Sequence, residues 1–127
     1  MSERTERLLS QDELESRCRY WQSLLGLLDW DVKAKIARGN GLDIPEGQQG
    51  RCNWTLGRKE AFVRVLDHID WDPAIIFPQD MEATLVHELL HLHLAPFAAK
   101  EDSPEDTAQE QMIKALSYSL VSLARGR

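Results

Sequence analysis

Residues 81–94 read Met81-Glu82-Ala83-Thr84-Leu85-Val86-His87-Glu88-Leu89-Leu90-His91-Leu92-His93-Leu94, with Asp80 ahead as an N-cap and Pro96 behind as a stop. On a helical projection at about 100° per residue with His87 at zero, His91 falls near 40°, Thr84 near 60° and Glu88 near 100°. Met81, Leu85, Val86, Leu89, Leu90, Leu92 and Leu94 fill most of the remaining arc. A helix apolar around most of its circumference is a buried one. Burying two imidazoles and a carboxylate without partners is costly, and a bound metal ion removes that cost. The pattern is His-Glu-x-x-His, whose histidines lie about one turn apart and project the same way, so that both can reach one tetrahedral ion. Glu88 stands beside them, where it can take a proton from water at that ion. His93 falls near 240° on the same projection and is read as a packed or partly exposed histidine, not a ligand.

Working outward, the chain before this helix changes period twice. Ser10 and Glu13 form a capping box, and Leu14, Cys18, Trp21, Leu25 and Leu28 then share one helical face, widened by Leu24. From Trp30 to Ala37 apolar and polar residues alternate as in a half-buried strand. A glycine-containing loop over 40–50 follows, then a second alternating stretch with Cys52, Trp54 and Leu56 on one face. Leu56-Gly57-Arg58 is a turn into a third strand, Glu60–Leu66, and so short a link predicts an antiparallel hairpin. The third strand is either a candidate edge or simply a core strand, and the pattern leaves both open. Residues 67–79 are irregular, with Trp71, Ile75, Ile76 and Phe77 expected to pack over one edge of the core.

Beyond the motif, Ser103-Pro104-Glu105-Asp106 supplies an N-cap, a proline at the first helical position and acidic residues in the first turn. The helix it opens is expected to run to about Ala124, with Met112, Ile113, Leu116, Leu120 and Leu123 on one face. A catalytic centre needs a third protein ligand. Cys18 and Cys52 do not adjoin the motif, and Glu105, Asp106 and Glu110 are the available carboxylates. Spacing leaves Asp106 and Glu110 both open. The order α-β-β-β-α-α predicts an α+β fold with a small, mainly antiparallel sheet and helices packed on one side.

Composition bounds the function classes. The chain has 127 residues, enough for one domain over 1–127 with residues 1–9 as a flexible N-terminus. Its 15 Lys plus Arg against 21 Asp plus Glu leave a net charge of −6, which argues against nucleic acid and anionic membranes as partners. Two separated cysteines fit a reducing compartment, and the charged N-terminus holds no signal-peptide core, so the expected location is cytoplasmic. No apolar run approaches the ~20 residues that span a bilayer.

The stretch Leu85-Val86-His87-Glu88-Leu89-Leu90-His91-Leu92 and, downstream, Glu110-Gln111-Met112-Ile113-Lys114-Ala115-Leu116 resemble the small gluzincin-type zinc metallopeptidases, especially the minimal zincin-like domains of prokaryotic and phage proteins. The resemblance implies a zincin-like fold and a Zn2+ ion held by His87, His91 and Glu110. It also implies Glu88 as the general base toward zinc-bound water, and a peptide or protein substrate laid along an edge strand. It therefore selects Glu110 over Asp106. Leu94 and Phe97 stand where a metzincin would carry its glycine and third histidine, and Lys114 stands where the family often has an aspartate. Tyr118 and Tyr20 are expected to point away from the site. The reading is a zinc-dependent hydrolase, with a noncatalytic metal-binding or interaction module on the same fold as the alternative.

Overall fold

In the computed structural model, which describes residues 6–126, helix α1 spans Gln11–Leu24. The Ser10 side chain accepts from the Glu13 backbone while the Glu13 carboxylate accepts from the Ser10 N–H, so the capping box is formed. Leu14, Cys18 and Trp21 are buried on one face. The face ends earlier than its periodicity suggests, because the chain turns at Gly26 (φ 71°) and leaves Leu24 and Leu28 exposed. Buried Gln22 closes that turn, donating from Nε2 to the carbonyls of Leu27 at 3.3 Å and Trp30 at 2.9 Å.

Strands β1 (Asp31–Ala37), β2 (Gly50–Thr55) and β3 (Glu60–Leu66) form one sheet in the order β1-β3-β2. β2 and β3 pair antiparallel across a single 3-10 turn at Leu56–Arg58, as their short link requires. β1 pairs with β3 in parallel, from Asp31 opposite Glu60 to Ala37 opposite Leu66. The sheet is thus mixed, one pairing of each sense, within the α+β class and element order expected. β3 is the central strand, so of its two readings the core strand holds and the candidate edge is corrected. Residues 38–49 carry the chain past the slot that β3 later fills, so β2 and β1 are the edges.

Ala34, Ala61, Val63 and Val65 are buried against the helices, with Cys52 and Trp54 half-buried beside them. The other face of the sheet bears Asp31, Glu60 and Thr55 at one end, then Lys33, Phe62 and Asn53, then Lys35, Arg64 and Arg51. At one end a small second cluster joins Ala37, Ile44 and Leu66, with Trp71 packed against it. Ile75, Ile76 and Phe77, expected to pack over one edge of the core, are exposed in the segment between Pro73 and Pro78.

Helix α2 (Met81–Leu94) is capped by Asp80, whose carboxylate accepts from Ala83 N–H. Eight of its residues are buried, including Leu85, Val86 and Leu89 at zero exposure. Helix α3 (Pro104–Ala124) begins at Ser103, whose hydroxyl accepts from Asp106 N–H. It packs antiparallel to α2, but its buried seam is Ile113, Ser117 and Val121. Met112, Leu116 and Leu123, expected on the buried face, are exposed. The seam is a single line at every fourth residue, and small Ser117 fits it where a leucine would hold the helices apart.

The far ends of the helices are cross-braced. Arg125 donates to Asp80 at 2.8 and 3.1 Å and to Glu82 at 3.4 Å. Arg17 and the Trp21 indole both donate to the other Glu82 oxygen at 2.7 Å. Residues 1–5 of the expected flexible terminus lie outside the described residues; Arg7 exchanges backbone hydrogen bonds with Gln79 and Met81, both at 2.9 Å. Among the described residues no helix is long and apolar enough to cross a membrane.

Candidate metal centre

The helical spacing of His87 and His91 places their rings 5.3 Å apart, centroid to centroid, on the side of α2 that meets α3. Glu110 projects from α3 between them, with one carboxylate oxygen 3.1 Å from His87 Nε2 and the other 3.0 Å from His91 Nε2. One donor atom from each of the three lies within 4.8 Å of the others, an arrangement that could hold a metal ion. Its chemistry suits such an ion. Tetrahedral bonds of about 2.1 Å set donors about 3.4 Å apart, a few tenths of an ångström from the two His–Glu110 separations. Burial lowers the pKa of both imidazoles against the opposing pull of Glu110, favouring the neutral form in which the ring nitrogen has a lone pair to give.

Glu88 lies beside this group and outside it. Its side of α2 faces β2, where the backbone at Gly50 passes so close that a Cβ there would stand 3.0 Å from Glu88 Oε2 and 2.7 Å from Thr84 Cγ2. Glu88 is only 7% exposed. Burial, reinforced by the Glu110 charge and opposed by Arg51, raises its carboxyl pKa to about 8. A cation at the adjacent donors would pull the other way. All four groups open onto one cavity of about 650 Å³, walled by residues 47–54, α2, the segment 98–102 and α3 as far as Tyr118.

Asp106 also lines this cavity, about one turn before Glu110, and its carboxylate accepts from Asp102 N–H at 3.2 Å. His93 points away, its Nε2 2.6 Å from the Leu25 carbonyl, as its helical angle requires. Cys18 and Cys52 stay outside the donor group, and burial raises both thiols, Cys18 to about 11. Tyr20 lies on α1 beneath the Arg17 guanidinium, 4.0 Å from its ring centroid. Tyr118 lines the cavity rather than turning from it, because the real seam of α3 is rotated toward Ser117.

Two contributors escape the motif. Trp54 on β2 stacks on the His91 ring, with centroids 6.3 Å apart and planes 18° from parallel. Its alternation with Cys52 marks it as inward-facing, but only the topology sets His91 beneath it. Gly50 reads as a loop glycine; its significance lies in the missing Cβ.

No family model, curated protein or solved structure matches this chain. Function therefore rests on the geometry above.

Proposed function

We propose that the chain is a metal-dependent hydrolase and, within that class, a zinc metallopeptidase of the gluzincin kind. The observation that carries this reading is Glu88, a nearly buried carboxylate that is not part of the donor group yet faces the same cavity. A centre serving only to brace the fold gains nothing from such a residue, and burying it is costly. His87, His91 and Glu110 would hold the ion. When bound, zinc supplies Lewis acidity toward water and toward a carbonyl oxygen.

The protein's own part follows from its placement. Glu88 accepts a proton at its carboxylate and returns it to the departing amine, and its burial keeps that proton from escaping to bulk water. Trp54 fixes the orientation of the His91 ring. The free edge of β2 runs beside Glu88 and can accept main-chain hydrogen bonds from an extended peptide. Glu88→Gln is expected to retain stoichiometric zinc, measured by elemental analysis, and to lose hydrolysis of a peptide mixture scored by mass spectrometry. Equal turnover by variant and parent would remove Glu88 from this role. Zinc bound with turnover in neither would leave a noncatalytic metal-binding module.

A further inference from the structure

The face of the sheet turned away from the helices carries Lys33 and Lys35 on β1, Arg64 on β3 and Arg51 on β2. The register sets Lys35, Arg64 and Arg51 directly opposite one another in one row across the strands. Like charges so placed destabilise a sheet. Among the described residues none of these four cations is in an ion pair, and the same holds for Arg7, Arg19, Lys100 and Lys114, whereas Arg17, Arg38, Arg58, Lys59 and Arg125 are paired; what sets the four apart is their shared sheet face. Arg64 lies over the Phe62 ring at 4.5 Å and donates to Asn53 at 2.8 Å, contacts that position its charge without neutralising it. Among the described residues no carboxylate forms an ion pair with this row; Asp31 and Glu60 lie at the other end of the same face, and Arg51 acts electrostatically on buried Glu88 across the edge. The row ends at Arg51, on an edge strand.

The backbone of that edge has a defined polarity. Leu66 N–H donates to the Gln49 carbonyl at 2.9 Å, which makes 49 and 66 a hydrogen-bonded pair. Counting by twos, Arg51 bonds with Arg64 and Asn53 with Phe62, so the N–H and C=O groups of Gly50, Cys52 and Trp54 point out from the free edge. An antiparallel strand added there bonds to those three residues. It meets Arg51 in a non-hydrogen-bonded pair, with Cα atoms about 4.5 Å apart and side chains at their closest. The added side chain opposite Arg51 lies on the face that carries the Lys35–Arg64–Arg51 row. Its two neighbours point to the other face, toward α2 and the candidate metal centre.

We infer that the protein selects acidic peptides: an extended segment bound along β2 is chosen by an Asp or Glu opposite Arg51, at the end of the Lys35–Arg64–Arg51 row. This rests on the reading of β2 as the strand that receives peptide, and adds the substrate class to it.

The test uses metal-free Glu88→Gln protein, which cannot cleave its ligand, and fluorescein-labelled blocked peptides of alternating glutamate–valine, serine–valine and lysine–valine. Fluorescence anisotropy at low ionic strength should show the glutamate peptide binding at least about tenfold tighter than the serine peptide. Adding Arg51→Glu should abolish that preference and favour the lysine peptide, while Arg51→Lys should keep most of it. Thermal unfolding should find Arg51→Glu no less stable than its parent, since it breaks a like-charge row. Equal affinity for the three peptides, an Arg51→Glu protein that still prefers glutamate, or an oligothymidylate that binds as tightly as the glutamate peptide would each overturn the inference. Zinc-loaded parent cleaving serine and glutamate peptides at equal kcat/KM also overturns it, leaving the hydrolase reading intact. Tight, Arg51-dependent glutamate binding without cleavage supports it and removes the hydrolase reading.

Discussion

Gly50→Ala probes a close approach between the sheet and the motif helix. An added methyl would stand 2.7 Å from Thr84 Cγ2, 3.0 Å from the Arg64 carbonyl oxygen and 3.0 Å from Glu88 Oε2. A carbon–carbon contact is favourable near 3.5–4.0 Å, so β2 and α2 must separate by close to an ångström. Neither partner yields easily: the Thr84 methyl sits on a stiff β-branched side chain in a helix, and the Arg64 carbonyl belongs to the central strand. Overpacking of this kind costs about 1–3 kcal/mol. The reduced freedom of the unfolded chain returns about 0.4–1 kcal/mol, for a net loss of about 1.3 kcal/mol at the midpoints of the two ranges. For a chain of this size that lowers Tm by roughly 5 °C. Thermal unfolding followed by circular dichroism, without metal, measures it. Thr84→Ser removes the methyl that is hit first, so the double variant should recover part of the loss in a double-mutant cycle. A Tm for Gly50→Ala within a degree of the parent, or strict additivity with Thr84→Ser, would refute the argument.

Glu110→Ala should weaken zinc binding by more than the ~10–100-fold that loss of a second-layer partner costs, whereas Asp106→Ala should cost about 0.5–1 kcal/mol of helix stability and leave affinity nearly unchanged; competition against a chromophoric chelator ranks the two. Asp70 binds Arg38, the Gly39 N–H and Asn40, and the Arg38 guanidinium, followed by the Gly39 N–H, holds its carboxyl below the usual range. With the folded pKa depressed, the unfolded chain takes up the proton first, so this stabilisation is complete above about pH 4 and is lost as the pH falls further. Urea midpoints measured across the acid range should fall less steeply for Asp70→Asn than for the parent.

Local chemistry was legible from the residues. Ser10 with Glu13, Asp80, and Ser103 with Pro104 set the starts of three helices because a cap is satisfied within four residues of itself. The one-turn spacing of His87 and His91 needed no tertiary information either. What escaped were quantities set by neighbours distant in sequence. Alternation in Asp31–Ala37 tells which side chains face inward but not which strand lies alongside, so the parallel pairing with β3 was invisible. In α3 the apolar stripe is broader than the seam it buries, and polar Ser117 occupies the seam because it is small. Hydropathy ranks Met112 and Leu116 above it and so rotates the helix. That same rotation is why Tyr118 meets the cavity.

The brace at Asp80 and Glu82 acts as a fulcrum. From Arg125 back to Glu110 is fifteen residues of α3, about 22 Å at 1.5 Å per residue. A tilt of one degree at the braced end therefore swings the Glu110 carboxylate by about 0.4 Å, nearly all of the ~0.5 Å tolerance a functional constellation allows. The bidentate grip of Arg125 on Asp80, with Arg17 and Trp21 steadying Glu82 from α1, thus sets the angular precision with which a carboxylate on one helix is aimed at two imidazoles on another.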